Sequence, residues 1–304
     1  DLQVRLEDLL RHRIGHEAAG PSAALALNAG MTAAHGVWVP GHITGFFMPV
    51  YGANPARSGS VGGGIALSDG VSITVTKAPQ TDIVLNGQAV EIPPVRAVLE
   101  RLDVAGVVDA VTPLPLGVGF GVSGAMALGA ALGAQAAGLV DRPSDDLVRM
   151  SHVAEVTSRT GLGDVIGQAT GGISLRLRPG APPTGQVEQL PAAPTIEYLI
   201  FGSRSTAAVL DDAEERLAEA GREAVRTVWA NPTLEAFMTA AARFTARTDL
   251  AGPQVRQVLE RVDAVGHHAA MVMIGESVFS CDGGLSAAGY RPLEATVAPG
   301  PRVL

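Results

Sequence analysis

The chain has 304 residues, a formal net charge of −8 at pH 7 and a hydrophobic fraction of 47%. This apolar fraction excludes a disordered chain, and the acidic balance argues against a general nucleic-acid binder, which would carry a basic face. Cys281 is the only cysteine, which excludes an internal disulfide and predicts a reducing cytoplasm. The chain has 37 glycines, and part of this surplus lies at residues 59–64, 117–124 and 161–163.

The first thirty residues differ in character from the rest of the chain. Residues 2–11 predict one short amphipathic helix, and charges throughout the first seventeen positions make a secretory signal a poor fit. Met31 stands just before the first strand-like segment. We therefore predict that residues 1–30 are an upstream extension outside the folded core and that Met31 is the natural start.

The segment up to residue 140 combines short apolar runs with glycine and proline. Residues 71–76 alternate with period two, as a half-buried strand does, and residues 95–105 suit a helix. Residues 114–140 carry no charge, but their seven glycines leave no continuous apolar run of the ~20 residues that a bilayer needs. A glycine-rich loop followed by a buried helix over 126–138 is the better interpretation, and no membrane association is predicted.

The second half of the chain is mostly helical. Its predicted helices and strands are a helix over 144–159 with Ser144 as N-cap, a strand over 172–178, a strand over 198–201, and helices over 206–229, 233–247 and 253–265. Five prolines in residues 179–194 predict a connection or domain boundary there. Residues 269–279 are apolar and fit either a helix or a strand.

The strongest local signal is the glycine loop at residues 113–125. Glycines allow the backbone to approach a ligand closely, and a helix N-terminus presents free N–H groups, so the pattern predicts an anion site for phosphate. A tight packing turn without a ligand is the alternative. A dinucleotide fingerprint fails because Asp141 ends the helix and not a second strand. A Walker A loop fails because Lys77 is the only lysine.

The loop resembles motif two of the GHMP kinases, whose pattern is Pro-x-x-x-Gly-x-Gly-x-Ser-Ser-Ala. Val122 replaces the first serine and Gly124 is inserted before Ala125, whereas Ser123 keeps the second serine. The resemblance implies that the loop binds ATP. The residues that it would place at the nucleotide are Gly117, Gly119, Gly121, Ser123, Gly124 and Ala125.

Four segments in the family order narrow the resemblance to the archaeal pantoate kinases, a branch of the GHMP kinases. They are residues 39–47 (Val-Pro-Gly-His-Ile-Thr-Gly-Phe-Phe), 121–125 (Gly-Val-Ser-Gly-Ala), 160–165 (Thr-Gly-Leu-Gly-Asp-Val) and 273–279 (Met-Ile-Gly-Glu-Ser-Val-Phe). The similarity covers about residues 33–290. Val61 departs from it, since an arginine is expected there and valine cannot bind an anion as arginine does.

Two carboxylates acquire roles from this resemblance. Asp164 would take the proton from the attacking hydroxyl, as phosphoryl transfer requires; a turn or capping aspartate is the alternative. Glu155 would hold Mg²⁺ together with Ser123, since Mg²⁺ favours one or two carboxylates plus phosphate oxygens; a solvated helix glutamate is the alternative.

The acceptor site is predicted from four further residues. Arg176 would bind the pantoate carboxylate in bidentate fashion, whereas the alternative makes Arg176 and Arg178 a pair of exposed strand arginines. His42, Thr44 and Ser60 are candidate substrate contacts. For His42 the alternative is a turn histidine whose hydrogen bonds are satisfied within the protein.

The resemblance implies an α+β GHMP kinase fold with two lobes. Residues 31–185 would form a lobe like ribosomal protein S5 domain 2, and residues 186–304 a smaller α/β lobe. The expected activity is ATP-dependent phosphorylation of (R)-pantoate to 4-phosphopantoate in archaeal coenzyme A biosynthesis, in a cytoplasmic homodimer. The alternatives are another acceptor, such as homoserine, mevalonate or shikimate, or a metabolite sensor without catalysis.

Overall fold

The computed structural model describes residues 36–203 and 206–304. The predicted extension over residues 1–30, its helix and the proposed start at Met31 lie outside these residues. The described chain forms a large mixed sheet, a smaller antiparallel sheet and eight helices.

The first sheet follows the strand order β12-β1-β2-β5-β3-β4, with β6 added to β2 and β7 added to β6. Its strands are β1 (Val37–Val50), β2 (Gly59–Lys77), β3 (Asp82–Leu85), β4 (Gln88–Ala89), β5 (Gly106–Val111), β6 (Ile173–Arg178), β7 (Gln186–Leu190) and β12 (Arg302–Val303). All pairings are antiparallel except that between β3 and β5. The second sheet contains β8 (Thr195–Gly202), β9 (Ala269–Met271), β10 (Glu276–Cys281) and β11 (Leu293–Thr296), in the order β11-β8-β10-β9.

The helices cover the sheets and supply two walls of the site. They are α1 (Pro93–Leu102), α2 (Val122–Ala136), α3 (Ser144–Ser158), α4 (Asp164–Thr170), α5 (Thr206–Ala230), α6 (Leu234–Thr248), α7 (Pro253–Ala264) and α8 (Gly284–Ala287). The three helices predicted between residues 206 and 265 agree with α5 to α7 within one residue at each end. Their apolar positions follow the helical period, which tertiary packing preserves.

Strands β1 and β2 are longer than the short runs expected at residues 37–75. Every residue from Val37 to Pro49 is buried, so β1 lacks the polar-apolar alternation that marks a strand in sequence. Helix α6 packs on β1 through Phe237, whose ring centroid lies 5.2 Å from that of Phe46. Burial on both faces therefore hid these strands from a search for period two.

Helix α2 begins at Val122, four residues before the start that we predicted, so Ser123, Gly124 and Ala125 lie in its first turn and not in the loop. The helix runs against β2, where a Cβ atom at Gly129 would lie 2.2 Å from Ile73 Cδ1. Part of the glycine surplus therefore allows a buried helix to pack closely on a strand. In the described residues no helix is both long and apolar enough to cross a membrane.

Two further predictions need correction, and the structure decides one alternative that the sequence left open. Pro143 is the N-cap of α3, so Ser144 is the first helical residue and makes no side-chain cap. The proline-rich segment 179–194 contains strand β7, which pairs with β6, and the first sheet therefore continues to Leu190. The ambiguous segment 269–279 forms the strands β9 and β10, which are paired with each other. The division into lobes at residue 185 stays a prediction.

Candidate active site

The glycine loop connects β5 to α2 and lines the main cavity. Gly117, Gly119 and Gly121 all have positive φ values, of 79°, 95° and 64°. Residues other than glycine rarely adopt these φ values, so the loop conformation requires glycine at all three positions. Gly121 is the N-cap of α2, and the free N–H groups of the first helical turn therefore point towards the cavity, where an anion would bind.

Other segments hold the loop by its carbonyl groups. The His42 backbone N–H donates to the Phe120 carbonyl at 3.0 Å. The Ser277 hydroxyl donates to the Val118 carbonyl, also at 3.0 Å. These bonds come from strands β1 and β10, one from each sheet, and they leave the N–H side of the loop to face the cavity.

Ser123 and Glu155 form the cluster that we predicted for the metal. The Ser123 hydroxyl donates to Glu155 Oε1 at 2.7 Å, and the Thr160 hydroxyl donates to the same oxygen at 2.9 Å. Burial raises the pKa of Glu155 to about 7, against the two hydroxyl hydrogen bonds, which lower it. A buried carboxylate that protonates near neutral pH would be stabilised in its charged form by a cation.

The donor set fits Mg²⁺. It consists of one carboxylate and one hydroxyl on the wall of a cavity, and Mg²⁺ takes oxygen ligands and needs few of them from protein when phosphate oxygens supply others. Within the described residues no group of three or more histidine, cysteine, aspartate or glutamate side chains could hold a metal by itself.

Asp164 is the first residue of α4 and follows the N-cap Gly163. Its side chain is 22% exposed and lines the cavity. Gly161 lies between the two carboxylates: a Cβ atom there would lie 2.3 Å from Glu155 Oε2 and 3.3 Å from Asp164 Oδ2. The Gly-Leu-Gly-Asp turn therefore brings both acidic groups to one wall, which a larger residue at position 161 would obstruct.

His42 is buried behind Asp164 and does not line the cavity. Its Nδ1 donates to Asp164 Oδ1 at 2.8 Å, whereas Nε2 is buried without a partner. Burial lowers the pKa of His42, although Asp164 raises it, so the ring is neutral at pH 7 with its proton on Nδ1. The structure therefore directs His42 to Asp164, and not to the substrate as we predicted.

Arg176 is buried on β6, whereas Arg178 is exposed on the same strand. Its Nη2 donates to the Ser60 hydroxyl at 3.4 Å, and its Nε and Nη1 are buried without partners. Burial lowers the pKa of Arg176 to about 10, so the side chain stays charged at neutral pH. A Cβ atom at Gly163 would lie 2.7 Å from Arg176 Nε, which places the guanidinium directly behind the turn that carries Asp164.

Most of the residues predicted for the site share one cavity. Those that line it are Thr44, Ser60, Gly117, Gly119, Gly121, Ser123, Gly124, Glu155 and Asp164. Besides His42 and Arg176, Ala125 does not line it: its side chain is buried and its N–H donates to the Gly121 carbonyl at 2.9 Å. Ala125 therefore closes the first turn of α2 and has no N–H left for a nucleotide.

Sequence reasoning did not single out His152 or Phe47. His152 is buried on α3, where Nε2 lies 2.8 Å from the Ser58 carbonyl, and burial lowers its pKa. The charge of Arg176 lowers this pKa further. Phe47 forms part of the apolar wall of the cavity. Neither residue belongs to a motif with recognisable chemistry, although Phe47 ends the 39–47 segment.

Val61 is buried in the core and offers no anion contact.

Comparison with known proteins gives relatives over most of the chain. No family model matches the chain. The pantoate kinase of Thermococcus kodakarensis is 33% identical over 261 residues, which are 80% of this chain and 86% of that protein. The pantoate kinase of Methanocaldococcus jannaschii is 30% identical over 251 residues, 80% of this chain and 91% of that protein.

Solved structures extend the likeness to the fold. A phosphotransferase related to the CoA biosynthesis pathway superposes with a TM-score of 0.77 and 27% identity, over 89% of this chain and 98% of that one. The mevalonate diphosphate decarboxylase of Enterococcus faecalis superposes with a TM-score of 0.67 and 13% identity, over 89% and 98% of the two chains. At that identity the second likeness shows the fold alone.

Proposed function

The chain belongs to the pantoate kinase family and has the GHMP kinase fold, and from this premise we propose that it transfers the γ-phosphoryl group of ATP to the primary hydroxyl of (R)-pantoate. The products are 4-phosphopantoate and ADP. The observation that carries the proposal is the presence, in one cavity, of the glycine loop, the Ser123–Glu155 pair and Asp164. A phosphate cradle, an oxygen donor set and a base are the parts that phosphoryl transfer needs.

The nucleotide phosphates bind at the glycine loop and at the N-terminus of α2. Backbone N–H groups and the positive end of the helix dipole meet their charge, since no lysine or arginine lines the cavity among the described residues. Ser123 and Glu155 would hold Mg²⁺, which when bound supplies charge neutralisation at the transferring phosphate. The Thr160 hydroxyl is the second donor to Glu155 Oε1, and this bond orients the Glu155 carboxylate.

Asp164 takes the proton from the pantoate hydroxyl as that oxygen attacks phosphorus. The neutral His42 ring donates from Nδ1 to Asp164 Oδ1, and this bond fixes the carboxylate and leaves Oδ2 for the substrate. Thr44 Oγ1 lies 3.5 Å from the same Oδ1 and lines the cavity beside it. Thr44 is thus placed to contact the acceptor next to the base.

The acceptor carboxylate binds towards Ser60 and Arg176. Two buried guanidinium nitrogens without partners are costly for a protein, and an anion that reaches them would satisfy them. Ser60 lines the cavity and accepts from Arg176, so it stands between the cavity and the guanidinium. Holding the carboxylate at this point would orient the primary hydroxyl towards Asp164 and phosphorus.

Another acceptor on the same scaffold and a sensor without catalysis are the competing functions. A sensor has no need of a base, yet Asp164 lines the cavity and is held from behind by the buried His42, which favours an enzyme. The deciding experiment measures ADP release by the purified protein with ATP and Mg²⁺ against pantoate, homoserine, mevalonate and shikimate. We expect turnover with pantoate; turnover with another acceptor alone would refute the substrate, and no turnover with any would favour the sensor.

The proposal also covers the oligomeric state of the enzyme and its location in the cell. We expect a homodimer in solution, which light scattering coupled to gel filtration tests. We also expect the enzyme in the cytoplasm, which the single cysteine supports, and cell fractionation tests this.

A further inference from the structure

Gln168 is a buried polar residue next to the site for which the mechanism above has no use. It lies on α4 four residues after Asp164, one helical turn away on the same face. Its side chain is fully buried, and its Nε2 donates to the carbonyl of Gly121 at 2.8 Å, across 47 residues of sequence. The bond therefore joins the helix that carries the base to the residue that ends the glycine loop.

The first turn of α2 is built to let this contact form. A Cβ atom at Gly124 would lie 3.1 Å from Gln168 Oε1, 3.3 Å from Val165 Cγ2 and 3.5 Å from Asp164 Cβ. A Cβ atom at Gly121 would lie 2.9 Å from Gln168 Nε2. The inserted Gly124, which departs from the general GHMP kinase pattern, thus gives α4 a close approach to α2.

The side chain of Gln168 is not explained by packing. Its Oε1 is buried without a partner, so the amide is only partly satisfied. An apolar side chain of the same length would fill the space without that cost. The feature that an apolar residue lacks is the N–H group directed at Gly121.

The Gly121 carbonyl is the point where the loop and the helix meet. It also accepts the N–H of Ala125, the bond that closes the first turn of α2. Because the Gln168 amide holds this carbonyl in place, it also fixes the direction in which the free N–H groups of that turn point. It also fixes their distance from Asp164, which begins the helix that carries Gln168.

We propose that Gln168 is a positioning residue. It fixes the glycine loop relative to the helix that carries Asp164, so that the bound phosphates lie close to the base. It does not contact substrate, because it is fully buried and does not line the cavity. This inference rests on the proposed kinase function.

The test replaces Gln168 by methionine, which keeps the length and removes the donor. Gln189 offers a matched control, since its Nε2 donates at 3.0 Å to the carbonyls of Thr170 and Gly171 at the far end of the same helix. We expect kcat with pantoate to fall about 10- to 100-fold in Gln168→Met, the loss that misplacement of reacting groups produces. We expect the KM for pantoate to stay within about twofold, and Gln189→Met to keep the wild-type kcat.

A second measurement does not depend on turnover. Amide hydrogen exchange should be faster over residues 117–125 in Gln168→Met than in the wild type, with no such change in Gln189→Met. Equal kcat and equal exchange in the two variants would overturn the inference. Absence of pantoate turnover in the wild type would refute the proposed function instead, while the exchange comparison would still decide whether Gln168 holds the loop.

Gln168→Leu covers the case in which the methionine variant does not fold. It is smaller and carries no donor for the Gly121 carbonyl, so exchange over 117–125 should rise as it does in Gln168→Met. Wild-type exchange and wild-type kcat in this variant would contradict the proposal.

Discussion

The two halves of the cavity meet negative charge in different ways. The half that we propose for the nucleotide consists of glycine backbone, the Ser123 hydroxyl and the acidic Glu155, without a fixed cation among the described lining residues. The half that we propose for the acceptor is backed by Arg176, a cation with two nitrogens unpartnered. The first half therefore needs a mobile cation to accept a polyphosphate, whereas the second carries its own charge for a single carboxylate.

Removal of the base should have the largest effect, because both halves depend on it. We expect Asp164→Asn to lower kcat by about 10²- to 10⁴-fold, the usual contribution of a general base. Binding of Mg²⁺ and ATP, measured by calorimetry, should change little. A variant that retains full activity would place the base elsewhere.

Arg176 distinguishes the acceptor half. We expect Arg176→Met to raise the KM for pantoate by about 10- to 150-fold, since hydrogen bonds to charged groups contribute about 1.5–3 kcal/mol. The KM for ATP should be unchanged. Without substrate the melting temperature should be equal or higher, because the variant removes a buried and incompletely paired charge.

Arg178→Ala is the control for Arg176, since Arg178 lies on the same strand and is exposed. It should leave both KM values within about twofold. An equal rise in the KM for pantoate in both variants would mean that the strand carries no specific carboxylate site.

Glu155 distinguishes the nucleotide half and makes it sensitive to pH. With a pKa of about 7 in the free protein, Glu155 is protonated below neutral pH, where a proton competes with Mg²⁺ for its oxygens. The Mg²⁺ concentration for half-maximal activity should therefore rise as pH falls from 8 to 6. Glu155→Gln should raise this concentration by about 10- to 100-fold and weaken its pH dependence, leaving the part that comes from protonation of ATP itself; an unchanged dependence would point to another ligand.

His42 should give the smallest of these effects, because it acts through Asp164. We expect His42→Leu to lower kcat about 10-fold, the cost of one hydrogen bond to a charged group at the lower end of its range. His42→Asn keeps an N–H donor near the Nδ1 position and should recover activity to within about threefold of the wild type. If both variants lose activity equally, the ring serves packing and not the carboxylate.

Local patterns in the chain were enough to find several parts of the site. The charge-free, glycine-rich stretch predicted a loop followed by a buried helix, and the resemblance to the pantoate kinases predicted that Ser123 and Glu155 act together. The position of Asp164 in a Gly-Leu-Gly-Asp turn was likewise readable. Motifs of this kind are local because one turn of backbone carries all of their chemistry.

Other parts depended on segments that are distant in sequence. The bond from His42 to Asp164 spans 122 residues, and the neutral state of His42 depends on burial that no local pattern encodes. The length of β1 was missed because both of its faces are covered, which removes the alternation. Strand β7 was missed because flanking prolines favoured a connection, although its pairing with β6 places it in the sheet.

The sequence by itself indicated the family, through four short motifs in a set order, and the resemblance to that family predicted the phosphate loop and the acidic residues of the candidate site. Part of the glycine surplus was already visible at three places along the chain. Only the tertiary structure decided what each of these residues faces: Arg176 lies behind Gly163, His42 behind Asp164, and Gln168 against Gly121. The reason is physical, since burial and hydrogen bonding between distant segments set charge, orientation and distance, and these arise only when the sheets and helices pack together.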